Sequence, residues 1–352
     1  MKLTSYNVGC GDAFHIQYIG ESGESRHIFL DMGFSRTYQI IKDEIKRLIK
    51  KTESIDALFL SHIHDDHIGG ATKFIKDLSI GELPKNVVKK WVYNSPYKYK
   101  FETSNNNVGG VPCGVVYANL VYEYIYREHP SDIIDYTAGQ IFDIDGMKVT
   151  ILSPDTERLQ QLRSKYEKGR PLCKSEDDEI GTEAGIAKND YINKLEDFDI
   201  NKFQEDTNIE NSSSIAALFE YNGKRILWLA DSVPSVIIDS LACLGYNEVN
   251  KLQCDIVLLS HHGSSKNNSA ELFRMISSRN FLISSDGINK YALPNKETIS
   301  RIVYTSLTLP INLYFNNNNG RLSQIFKTDN KECINSLCNV YFLDNNEVIN
   351  FD

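Results

Sequence analysis

Residues 61–70 read SHIHDDHIGG and set three histidines and two aspartates within six positions, directly after the apolar run IDALFL at 55–60. Alternate side chains of an extended segment share a face, so His62 and His64 project to the same side. A turn after them brings Asp66 and His67 round to a neighbouring point. Imidazole nitrogen and carboxylate oxygen are ligands for zinc, manganese or iron. Several unpaired ionisable groups crowded at one strand end are costly without a cation, so a solvated polar loop is the poorer reading. The chemistry such a cluster supports is metal-assisted hydrolysis by an activated water.

The elements that must hold this cluster follow from periodicity. Residues 55–60 suit a strand buried on both faces, and a helix follows the cluster to about residue 78. Ile41, Ile45, Leu48 and Ile49 recur at helical spacing within 36–51, which predicts a helix laid on a sheet. Strands are predicted at 13–19, 27–30 and 87–93, a loop at 104–110 and a helix over the tyrosine-rich stretch 115–128. Two hairpins are predicted, at 140–154 turning on Asp145-Gly146 and at 214–232 turning on Asn222-Gly223. Strands at 255–265 and 281–287 end in polar loops, and further strands are expected over 310–352. Between them, 155–210 is polar and charged, includes the acidic run 176–179 and reads as a partly helical insertion; a solvated spacer is the favoured reading, a substrate lid the other. The expected organisation is one domain over 1–352, with a core to about 310, the insertion 155–210 and a C-terminal strand extension 311–352.

Composition narrows the partners. The 352 residues carry a formal charge of −9, which argues against coating nucleic acid with the whole surface but permits a local basic groove. The seven cysteines include no CxxC pair and read as reduced, mostly buried thiols of a cytoplasmic protein. MKLTSYNVGCGDAF has no apolar signal core, and no apolar run reaches the roughly 18 residues of a membrane span, so a soluble protein without a membrane partner is expected.

The spacing H-x-H-x-D-H resembles the signature of the metallo-β-lactamase superfamily. FLDMG at 29–33, LADS at 229–232 and SHHGSS at 260–265 resemble its later motifs in the right order. Together with VGCGDAF at 8–14 and NSSS at 211–214, they are most similar to the soluble hydrolase domain of ComEC-type DNA-uptake proteins, over about residues 4–300 apart from the insertion. The membrane channel of those proteins is absent from this sequence. The resemblance implies an α/β fold, a four-layer αββα sandwich with insertions, with the site at one edge. It implies two divalent metal ions, zinc or manganese, held by His62, His64, Asp66, His67, Asp231 and His261. Asp231 would bridge them, Asp31 would orient a ligand histidine, and Asp66 would orient the nucleophile. Of the adjacent histidines, His261 is favoured as ligand of the second metal and His262 as proton donor or outer partner. Asp12 either lines the site or caps a tight turn.

Two positions depart from the pattern. Asn211 stands where many members place a further histidine on the first metal, and ComEC-type sequences tend to share the asparagine. Leu293, in YALP at 291–294, stands where ComEC-type sequences carry the histidine of YGHP. Lys266, Asn267 and Asn268 read as a solvated loop in preference to an anion contact, and His15, His27 and His129 as structural or exposed. The expected function is a metal-dependent hydrolase, a phosphodiesterase or nuclease, with nucleic acid or another phosphodiester as partner. The alternatives are a hydrolase of a small ester, lactone, thioester or amide, and a non-catalytic metal-binding regulatory or interaction protein.

Overall fold

The computed structural model describes residues 1–97, 113–167, 189–289, 291–343 and 347–351. The loop expected at 104–110 and the acidic run 176–179 lie outside them. One sheet contains β1 (Lys2–Ser5), β2 (Phe14–Ile19), β3 (Ser25–Leu30), β4 (Ala57–Leu60) and β5 (Trp91–Tyr93). The other begins with β6 (Ile141–Ile144), β7 (Met147–Ser153), β8 (Ala216–Tyr221) and β9 (Lys224–Trp228). A two-stranded parallel ribbon joins β10 (Leu252–Gln253) to β12 (Ile276–Ser277). The second sheet continues through β11 (Ile256–Leu258), β13 (Asn280–Ile283), β14 (Ile311–Phe315) and β15 (Cys338–Phe342), while β16 (Val348–Asn350) returns to the first. The strand orders are β16-β1-β2-β3-β4-β5 and β15-β14-β13-β11-β9-β8-β7-β6.

The apolar faces of the two sheets meet. Phe14, Ile16, Leu30 and Phe59 of the first pack with Val149, Phe219, Trp228 and Leu258 of the second. Helices α1 (Tyr38–Lys50), α2 (Asp65–Ser79) and α3 (Cys113–Glu128) cover the outer face of the first sheet. Next in the chain come α4 (Thr156–Glu167), which packs with α3, and α5 (Ile209–Ser212); α6 (Pro234–Cys243), α7 (Ala270–Arg274) and α8 (Lys296–Thr305) then cover the outer face of the second sheet. The short α9 (Lys331–Leu337) precedes β15. The result is the expected order α, β, β, α, because each sheet buries one face on its twin and the other under helices.

Both hairpin turns form as two-residue loops. Asp145 and Gly146 have φ of 45° and 91°, and Asn222 and Gly223 have 48° and 74°. Positive φ at both central residues is what a type I′ turn requires. Other expectations change. The strand expected at 87–93 pairs regularly only over Trp91–Tyr93, with Val88 in an isolated bridge to Ile55. The stretch 155–210, read as partly helical, does open with a helix, and this helix packs on the body of the protein. Cys254 and Cys338 are buried, but Cys243 and Cys333 are exposed, against the expectation of mostly buried thiols. Among the described residues no helix is long and apolar enough to cross a membrane.

Candidate metal centre

The polar groups converge where parallel strands end. β3 and β4 run parallel, as do β9, β11 and β13. Asp31 follows β3, His62 and His64 follow β4, Asp231 follows β9, and His261 and His262 follow β11. Carboxyl ends of parallel strands are where open α/β sheets build their sites. Asp31, Ala230, His261 and His262 have φ of 57°, 45°, 46° and 53°, a left-handed backbone that non-glycine residues avoid. Each costs about 1–3 kcal/mol and persists because the surroundings fix it. Two glycines allow the close approach of these loops. A Cβ on Gly70 would lie 2.2 Å from the Met32 carbonyl, and one on Gly11 would lie 2.5 Å from the Asp66 carbonyl. The glycine of the HIGG run therefore lets the start of α2 dock against the loop that carries Asp31.

The donor atoms form two sets. His62 Nε2 lies 2.9 Å from His64 Nδ1 and 3.8 Å from Asp231 Oδ2. Asp66 Oδ2 lies 3.0 Å from His262 Nε2 and 3.7 Å from His67 Nε2, which is 3.2 Å from Asp231 Oδ1. Asp231 thus offers one oxygen to each set. His62, His67, Asp231 and His262 are buried, while His64, Asp66 and His261 form the half-exposed rim.

A sequence profile of the metallo-beta-lactamase superfamily matches residues 18–155, which hold Asp31 and the whole H-x-H-x-D-H cluster. The match covers less than half of the chain, and the four-layer αββα architecture is the one that the resemblance to this superfamily implies. Solved structures similar to it include the metallo-beta-lactamase fold protein YhfI from Bacillus subtilis, at 11% identity and a TM-score of 0.42, over 99% of this chain and 100% of that one. Zn(2+)-bound PqqB from Methylobacterium extorquens aligns at 10% identity and a TM-score of 0.41, over 100% of both chains. A diphosphatase from the PhnP family aligns at 10% identity and a TM-score of 0.39, over 100% of this chain and 98% of that one. No curated protein matches the chain in sequence.

Within this αββα fold, hydrogen bonds behind the imidazoles settle which nitrogen faces the centre. Asp31 Oδ2 lies 2.7 Å from His67 Nδ1 and accepts the Ser61 hydroxyl at 2.6 Å. With its hydrogen given to Asp31, Ser61 Oγ accepts from His62 Nδ1 at 3.0 Å. The Ser284 carbonyl accepts from His262 Nδ1 at 2.9 Å, and Asp12 Oδ1 lies 3.3 Å from the same nitrogen. Each Nδ1 is a donor, so it is Nε2 of His62, His67 and His262 that faces inward, and it is bare whenever the ring is neutral. His67 Nε2 and Asp231 Oδ1 are buried without a hydrogen-bond partner, although only 3.2 Å apart. At that distance they do not meet the geometry of a hydrogen bond, and a shared cation would satisfy both.

The electrostatics agree. Burial would lower the proton affinity of His67, but the carboxylates of Asp231, Asp66 and Asp31 outweigh it and raise the imidazole well above its ordinary value. Burial would raise the carboxyls of Asp66 and Asp231, yet His67 and its neighbouring imidazoles hold both below the usual range. His62, deeply buried beside His67 and His64, is pushed well below its ordinary value. A cluster that recruits protons onto some imidazoles to balance buried carboxylates suits a metal ion, which supplies that charge directly. The nitrogen and oxygen donors present fit a divalent cation in each set.

Not every residue lies where the sequence places it. His262, not the favoured His261, stands beside Asp66 and His67. Asp12 reaches His262, while its backbone bonds to Gly33 and Asp66. Asn211 is buried and bonds Asp206 at 2.7 Å. Leu293 is buried, and its carbonyl accepts from Ser285 and Asn289. Asn267 and Asn268 are completely buried, so they are no solvated loop. Sequence reasoning missed Ser61, Asp206, Asn267 and Glu210. Glu210 is buried, bonds Lys165 and Tyr166, and is held low despite burial by those two groups with His64 nearby. Ser61 stood next to the metal motif, and that adjacency was its only signal.

Proposed function

We propose that this protein is a metal-dependent hydrolase of phosphodiesters, in nucleic acid or in a smaller molecule. The observation that carries the reading is the division of Asp231, with Oδ1 toward His67 and Oδ2 toward His62. Two cations held on either side of one carboxylate would supply Lewis acidity to both ends of an in-line displacement and an activated water near neutral pH. The chain's own residues supply the orientation. Asp31 and Ser61 fix the imidazoles of His67 and His62. Asp66, kept ionised by His67 and His262, lies at the rim, where it accepts a hydrogen bond from the incoming nucleophile and sets its direction. Leu293 offers no proton to the leaving group, so that proton must come from His262 or from water. The motif resemblance to the ComEC-type hydrolase domain supports the phosphodiester class.

A small ester, lactone, thioester or amide is the second reading. Its support is an apolar wall beside His62 and His64, where Ile63 packs with Tyr97, Val115, Leu159 and Tyr166.

The test is hydrolysis of bis-p-nitrophenyl phosphate and of single- and double-stranded DNA, with manganese and zinc added separately. An Asp66→Ala, His67→Ala protein serves as control. Metal-dependent cleavage that disappears in the control is expected. Absence of cleavage by fully metal-loaded protein sinks the phosphodiester reading and moves the weight to the smaller substrates.

A further inference from the structure

Asn211 leaves the set around His62 and His64 one histidine short of the pattern common in this fold. We propose that His261 fills that place, joining His62, His64 and Asp231 Oδ2 on the first cation, and that Asp206 and Asn267 are the positioning residues that aim it. The inference rests on the reading of two cations at this centre, and is independent of the substrate.

The argument starts from Asn267, which is completely buried. Its Nδ2 donates to the Asp231 carbonyl at 3.1 Å and to Asp206 Oδ2 at 3.3 Å. Both partners only accept, so the amide cannot be turned round. Its oxygen therefore faces His261 Nδ1, at 3.0 Å. An amide oxygen also only accepts, so His261 Nδ1 carries the hydrogen and Nε2 is bare. That Nε2 lies 3.7 Å from Asp231 Oδ2, the same oxygen that lies 3.8 Å from His62 Nε2. Neighbouring ligands at zinc–nitrogen distances are separated by roughly 3.3 Å, so a small inward movement places all three on one ion. His262 faces the other way, toward Asp66. The two adjacent histidines therefore serve different cations, which their consecutive left-handed backbones make geometrically available.

Asp206 ties the arrangement together. Its carboxylate accepts from Asn211 Nδ2 at 2.7 Å and lies 3.6 Å from His261 Nδ1, and its backbone N–H donates to the Lys266 carbonyl at 3.1 Å. The amide nitrogen of Asn211 is thus committed to a carboxylate behind His261. Asn211 Oδ1 is buried without a partner, so the rival assignment makes that oxygen the missing ligand. A purely structural network would leave metal affinity untouched by isosteric changes at Asp206.

The experiment is a cobalt(II) titration of metal-free full-length protein, followed by visible absorption and by metal content after gel filtration. Wild type, His261→Gln, His262→Gln, Asp206→Asn and Asn211→Ala are compared, each checked for folding by circular dichroism. Wild type should bind two ions. His261→Gln and His262→Gln should each lose one, with different absorption bands left behind. Asp206→Asn should weaken the ion lost in His261→Gln by about 10–100-fold and leave the other unchanged. The proposal is overturned if His261→Gln still binds two ions with wild-type affinity, or if both histidine variants lose the same ion. It is equally overturned if Asn211→Ala loses the first ion while His261→Gln keeps it, or if Asp206→Asn leaves both affinities unchanged. A wild type that binds two ions but cleaves no diester overturns the functional reading alone; one that binds fewer than two overturns both.

Discussion

Two pairs of histidines in this molecule sit at the same separation and do different things. His15 Nε2 lies 2.9 Å from His27 Nδ1, and His62 Nε2 lies 2.9 Å from His64 Nδ1. The first pair is strung between Tyr6, whose hydroxyl is 3.3 Å from His15 Nδ1, and Glu53, 3.3 Å from His27 Nε2. Tyr6 can donate to His15, and one ring of the pair to the other, while His27 Nε2 and Glu53 Oε2 are close without the geometry of a hydrogen bond. The second pair instead has Asp231 before it and Ser61 and Asp31 behind it, so His62 has no proton to give inward. Imidazole spacing alone does not make a metal site. The groups on the far side of each ring decide whether its nitrogen donates or ligates.

The largest test of this contrast is Asp231→Ala. It removes the oxygen offered to each set, so both ions should be lost and diester cleavage should fall below detection, as metal analysis and the p-nitrophenyl assay would show. Retention of both ions would mean the two sets do not share that carboxylate. Asp31→Asn keeps size and shape but removes the charge behind His67. Metal affinity should fall by about 10–100-fold, read by competition with a chelating dye, while the fold survives.

The smallest effect belongs to the other pair. His15→Asn should leave metal content unchanged and alter only the acid limb of stability. Burial, aided by the His27 imidazole, pushes His15 down to about 3, against an ordinary value of 6.5. Above 6.5 neither folded nor unfolded chain is protonated there. Between 6.5 and about 3 only the unfolded chain takes up the proton, so His15 costs stability as the pH falls. The midpoint of thermal unfolding in the presence of chelator should therefore drop less steeply over that window in His15→Asn than in wild type. An identical slope would show that the pair does not titrate as a buried unit.

Much of this was legible in the sequence for a simple reason. His62, His64, Asp66 and His67 lie within one strand-turn-helix, so chain geometry alone gathers them. The hairpin turns were legible because Asp-Gly and Asn-Gly meet a backbone requirement that few residues satisfy. What could not be read is assembled from distant strands. The choice between His261 and His262 depends on two consecutive left-handed residues, which alternation along an extended strand does not anticipate. Asp206 and Asn267 lie 61 positions apart and meet only because the chain folds back past the insertion. Asn267 is written among polar neighbours, SSKNNS, and nothing local marks it as buried. Helix α6 was missed for a different reason, since it is short and apolar on most sides, which blurs its periodicity; α8 did carry Ile299, Ile302 and Val303 at helical spacing, over too few turns to stand out.

The pairing of β1 with β16 carries a consequence for the order of assembly. Lys2 to Thr4 bond to Asn350 through Val348, and the Met1 amino group reaches the Phe351 carbonyl across 350 positions of sequence. During synthesis the outer edge of β1 therefore waits unpaired until β16 has left the ribosome, exposing a template onto which other strands can add. Removing residues 347–351 would leave the metal cluster intact but restore that open edge permanently. The shortened protein should betray the change through aggregation, long before any loss of catalysis.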